Sequence, residues 1–111
     1  MAQTWVPKEH SIRAEIDPGG RATIDVVIRP GQRPFRLMSI DADNREDRDA
    51  FRVVECHAGR WRTVGRSRTL PVTGVFGMAD VGVAISVTVE NVSNARKAFS
   101  GHLVGEELEE R

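Results

Sequence analysis

Six oxygen-bearing side chains crowd one short stretch of the chain: Asp41, Asp43, Asn44, Glu46, Asp47 and Asp49. Calcium takes six to eight oxygen ligands, and the loops at the end of a β-sandwich are a common place to gather them. The spacing departs from an EF-hand. Arg45 occupies the fifth position, the sixth is not glycine, and no glutamate closes the loop at the twelfth. Arg45 and Arg48 are interleaved and repel a cation. The stretch 41–49 therefore reads as a solvated loop, or as a helical turn capped by Asp43 or Asn44. No cofactor and no metal is expected. Asp41, Asp43, Asp47 and Asp49 are the residues that would hold calcium if one were bound.

Cys56 and His57 have the residue types of a nucleophile and its base. Neighbours on an extended strand point to opposite faces, so the two cannot share a hydrogen bond there. A buried structural thiol is the simpler reading. His10, His57 and His102 lack the spacing of metal ligands. There is no Gly-rich phosphate loop and no Gly-x-Ser-x-Gly elbow, and no carboxylate pair stands out for acid–base work. The sequence points away from an enzyme. A small enzyme using Cys56 with a remote histidine is the alternative in that class.

One basic run remains, Arg60-Trp61-Arg62-Thr63-Val64-Gly65-Arg66-Ser67-Arg68, and no acid occurs between Glu55 and Asp80. On a strand, Arg60, Arg62, Val64 and Arg66 share one face, and Trp61 and Thr63 share the other. That places Trp61 in the core and the arginines outside. Such a face is either simply solvated or meets an acidic surface on a neighbouring subunit, with loop 41–49 or tail 106–110 supplying the acid. Nucleic acid ranks last: 16 Lys+Arg balance 16 Asp+Glu, and a net charge of zero gives no electrostatic support. Trp5, just before the first strand, is tucked into its own core or docked on a neighbour. The expected assembly interface comprises Trp5, Arg60, Arg62, Arg66, Arg68, Glu106 and Glu107.

The elements that would position these groups are short strands. The 111 residues make one domain, and 40% hydrophobic with 29% charged residues suits a folded chain. Ile12, Ala14 and Ile16 alternate with Arg13 and Glu15. Ala22, Ile24, Val26 and Ile28 alternate with Thr23, Asp25 and Val27, and Val83, Ile85, Val87 and Val89 with Ala84, Ser86 and Thr88. Asp17-Pro18-Gly19-Gly20 is the clearest hairpin signal. Further strands are expected at 35–40, 51–56, 61–64 and 95–104, with Val75-Phe76-Gly77-Met78 as a loop or short strand. Asn91-Val92-Ser93 matches a glycosylation acceptor but reads as a turn. Seven or eight antiparallel strands at this spacing predict an all-β single sandwich, jelly-roll-like, with an immunoglobulin-like order as the alternative. The expected divisions are an N-terminal arm at 1–9, the sandwich at 10–105 and an acidic tail, frayed or helical, at 106–111. A single cysteine excludes an intramolecular disulfide. Met1-Ala2-Gln3 opens no signal peptide and no apolar run is long enough for a membrane helix. The expectation is synthesis in the cytoplasm, with incorporation into a particle or virion open.

Pro34-Phe35-Arg36-Leu37, Phe51-Arg52-Val53, Trp61–Val64, the strand Val83–Asn91 and Phe99-Ser100-Gly101-His102-Leu103-Val104-Gly105 together resemble small single-domain β-sandwich proteins of phage and virus-like particles. The resemblance covers about residues 10 to 105. It implies a jelly-roll-like fold and a shell, spike or other assembly role, and it carries over no catalytic residue. The functional expectation is a non-enzymatic structural subunit that associates with copies of itself. The alternative is a sandwich-type module binding a glycan, or calcium through loop 41–49.

Overall fold

The structure, a computed structural model, describes residues 3–110, with only the backbone of residue 110. In chain order the elements are β1 (Gln3–Ile16), β2 (Arg21–Val27), β3 (Phe35–Ala42), α1 (Arg45–Ala50), β4 (Phe51–Ala58), β5 (Trp61–Val64), β6 (Arg68–Thr69), β7 (Gly77–Ala79), β8 (Ala84–Asn91) and β9 (Lys97–Glu110). Two antiparallel sheets result, β1-β9-β3-β7 and β2-β8-β4-β5, with β6 continuing the β5 edge along β4.

With β6 set aside, the pairing runs first with last: β1 with β9, β2 with β8, β3 with β7 and β4 with β5. A single long antiparallel ribbon of that kind, once rolled, adds the β3–β9 and β4–β8 pairs and splits into two sheets. This order is the jelly roll, not the immunoglobulin sandwich.

The core lies between the sheets and follows the period-two pattern. On β8, Ile85, Val87, Val89 and Asn91 are buried while Ala84, Ser86, Thr88 and Glu90 are only half-buried on the outer face. Phe35, Leu37 and Ile40 from β3 and Phe51 and Val53 from β4 fill the middle. Phe99 and Leu103 from β9 complete it, with the Phe51 and Phe99 rings edge-to-face at 5.1 Å.

The turn at Asp17–Gly20 does not close a hairpin. It arches from one sheet to the other, because β1 pairs with β9 and β2 with β8. Turn chemistry dictates a chain reversal but not whether the two strands lie side by side or face to face. The 91–94 turn between β8 and β9 is a second such arch. Asn91 joins the two. It is fully buried, and its Nδ2 donates to the carbonyls of Ile16 and Ala95, both at 2.8 Å. Its Oδ1 accepts from the backbone N and the Oγ of Ser93, and its main chain exchanges bonds with Gly19 and Gly20.

The segments expected as an arm and a tail are strand. Residues 3–9 are the first half of β1, and residues 106–110 end β9. They pair with each other from Gln3↔Glu110 to Lys8↔Gly105. Charged residues obscured this extension, since little on the ribbon's tip needs burial. Residues 1, 2 and 111 of those two expected segments lie outside the described residues.

Candidate functional site

Each sheet has two edges, and they differ in character. On one side of the sandwich lie β1 and β2, whose exposed positions include Pro7, Lys8, Glu9, Arg13, Glu15, Arg21 and Asp25. Proline and charge are the usual guards of a bare strand edge. On the other side β5 and β7 face each other, and there the exposed residues include Trp61, Phe76 and Met78 beside the charged Arg60, Arg62 and Asp80.

The β4–β5 hairpin positions Trp61. Gly59, at φ 60°, takes the left-handed turn position that leads into Trp61. The register then skips Thr63: Cys56 pairs with Val64, His57 with Arg62 and Ala58 with Trp61. Trp61 pairs directly with the buried Ala58 and so shares its face, as a core residue does. The extra residue shifts the parity so that Val64, expected on the arginine face, is buried beside Cys56 instead. Opposite Trp61, however, stands only the three-residue β7, too short to cover the ring. Trp61 is therefore 73% exposed. The expectation of a core tryptophan fails there. Phe76, just before β7, is 65% exposed, and Met78 is 48% exposed. Gly77 sits between them because any Cβ would collide with Ala58 and Thr63.

Two clefts flank Trp61. The larger, about 620 Å³, is lined by Ala58, Met78, Val83 and Leu108 with Arg60 and Asp80 at its polar positions. The smaller, about 370 Å³, lies between Trp61, Arg62 and Phe76. Arg60 and Asp80 line the same cleft without pairing; among the described residues neither has an ion-pair partner, and the Asp80 Oδ1 accepts only from the Val81 backbone. Arg62 lies near Glu55 and helps hold that carboxyl below its usual range, an effect led by the His57 hydrogen bond.

The other expected interface residues are placed differently. Arg66 is exposed, and Arg68 donates to the Thr73 carbonyl at 3.0 Å. Trp5 is occupied within the chain: the Arg36 guanidinium stacks on its ring at 4.3 Å, and Arg36 pairs with Glu106. Trp5 and Glu106 are therefore a clasp on the β1–β9 ribbon rather than open docking groups. Glu107 lies near His10.

The acidic stretch is also committed internally. Asp41 receives Arg48 through two bonds of 3.0 and 2.6 Å, and that contact holds its carboxyl below the usual range. Asp43 bonds His102 Nδ1 at 2.7 Å. Asn44 caps α1 by accepting from the Asp47 N–H at 3.0 Å and donates to the Asp47 carboxylate at 3.2 Å. Asp49 is exposed. Among the described residues no three His, Cys, Asp or Glu side chains converge on a metal position. Cys56 is buried, and burial pushes its thiol up. His57 points the other way and bonds Glu55 at 2.7 Å.

His10 gives a pH expectation. It is half-buried and packs edge-on against Phe35 at 4.7 Å; burial and Lys8 lower its pKa. Below about pH 6.5 the unfolded chain takes up a proton there that the folded chain resists, so stability falls on acidification through that window. Loss of the Asp41 contribution follows only below about pH 4, where the unfolded carboxyl protonates first. Thermal melts at pH 7.5 and 5.5 should show a drop for the native chain and a smaller one for His10→Gln.

Comparison with protein-family models, with curated proteins and with solved structures yields no match. No helix of the described residues is long and apolar enough to cross a membrane.

Proposed function

We propose that this chain is a non-enzymatic assembly subunit that associates with copies of itself through the β5–β7 side, as part of an oligomer or a shell-like particle. One observation carries the reading: Trp61, Phe76 and Met78 stand exposed together around open clefts on the β5–β7 side of the sandwich. Exposed aromatics set in a cleft and rimmed by arginine have the composition of an interface centre. Zero net charge leaves identical copies free to approach. The resemblance of residues 10–105 to particle proteins points the same way. The Arg62, Arg66 and Arg68 run serves as its rim.

Sedimentation velocity over a range of concentrations tests it. The native chain should gain mass with concentration. Trp61→Ala should weaken association at least tenfold while leaving the circular dichroism unchanged, because truncating an interface anchor costs about 2 kcal/mol or more. A strict monomer at high concentration overturns the reading. A second reading, a glycan seated on the Trp61 face between Arg60 and Asp80, is favoured by the mixed lining of the larger cleft. Tryptophan-fluorescence titration with oligosaccharides checks it.

A further inference from the structure

We infer that two copies pair about a two-fold axis at the larger cleft, with Arg60 of each meeting Asp80 of the other. This rests on the self-association reading above and names the contact that gives it register. Everything needed lies on one surface. The apolar lining of Ala58, Met78 and Val83, the knobs Trp61 and Phe76, one cation and one anion all border the same pair of clefts. A patch that holds both knob and hole, and both signs of charge, is complementary to itself. That is the condition for a closed isologous contact.

The charges identify the occupant. Asp80 ends a stretch from residue 56 to 79 that contains no acid, and it is the one carboxylate residue lining the larger cleft. Arg60 lines the same cleft and does not pair with Asp80, although Arg48, Arg96, Arg36 and Arg21 all find carboxylates within the chain. Arg62 has Glu55 nearby. A neutral apolar partner would bury both Arg60 and Asp80 without compensation. A uniformly acidic partner would repel Asp80, and a basic one would meet Arg60. A second copy in two-fold register satisfies both residues at once, twice per dimer. Both side chains are exposed, so exchanging them leaves the core untouched.

Charge exchange tests the contact, read by sedimentation velocity at low and moderate salt. Arg60→Asp and Asp80→Arg should each weaken homodimerisation at least tenfold. The double variant should recover most of the native affinity. Mixing the two single variants should give a heterodimer tighter than either homodimer, because one chain then presents two acids and the other two arginines. Native-like association of both single variants overturns the Arg60–Asp80 contact and leaves the self-association reading standing, provided Trp61→Ala still weakens it. A native chain that stays monomeric, or one whose association Trp61→Ala leaves unchanged, overturns both.

Discussion

Gly105→Ala is expected to destabilise the chain by about 3 kcal/mol or more, enough to leave a sizeable unfolded fraction at physiological temperature. Gly105 lies on β9 between Lys8 of β1 and Leu37 of β3. A Cβ there would meet the Arg36 carbonyl oxygen and lie 2.7 Å from Cζ of the buried Phe35 ring. The obstacle on one side is the backbone of a strand hydrogen-bonded to β9, and on the other a ring packed in the core. Neither can rotate away, so β3 must shift. Gly101 repeats the device four residues earlier on the same face, under the Phe99 ring. Urea unfolding of Gly105→Ala beside Ser100→Ala, on the opposite face of β9, measures the effect. A loss below 1 kcal/mol for Gly105→Ala would show that β3 yields freely.

Asn91→Ala should cost about 3 kcal/mol and lower the melting temperature by roughly 15 °C. The Asn91 side chain uses both donors and its acceptor on groups of the two sheet-to-sheet arches, with no exposure to water that could replace them. Truncation strands the Ile16 carbonyl, which belongs to the end of β1, and frees the Ser93 turn. Asn91→Asp discriminates between shape and bonding. It keeps the size and the acceptor but loses both donors, and it buries a charge, so it should be at least as damaging as alanine. A native-like melt for Asn91→Asp would mean that the donors contribute little.

The parts of this fold legible in the sequence are those where one face is buried and the other wet. β8 is the clearest case: Ile85, Val87 and Val89 alternate with Ala84, Ser86 and Thr88, and the structure buries the first set. Two kinds of feature escaped. Partner choice was one, since Asp17-Pro18-Gly19-Gly20 specifies a reversal equally well in a hairpin and in an arch. Strand ends beyond the core were the other: the segments 3–9 and 106–110 are held by pairing with each other, and pairing between backbones leaves no periodic signature. The candidate site shows the same limit. Alternation assigned Trp61 to the correct face of its strand, but exposure depended on the length of β7 opposite, a property of another segment. Phe76, legible only as part of an apolar loop or short strand at 75–78, and Asp80 are not marked as site residues by the sequence, since a single aromatic in a loop and a single acid at a strand end have no spacing to read. Asp80 did mark the end of the acid-free stretch, and that was the available signal.

The order in which the ribbon pairs also bears on how the chain is made. Only β4 and β5 meet across a short turn; β1 must wait for β9, nearly the whole length of the chain later. During synthesis the first strand thus leaves the ribosome with its partner not yet translated, and β3 emerges with the same vacancy on one side. Contacts this distant in sequence are slow to form. Adjacent ribosomes on one message hold chains at different stages, and a finished β9 from one can occupy the place awaiting β9 in the next. The yield of correctly closed chains should therefore depend on how densely the message is translated, quite apart from the stability of the finished fold.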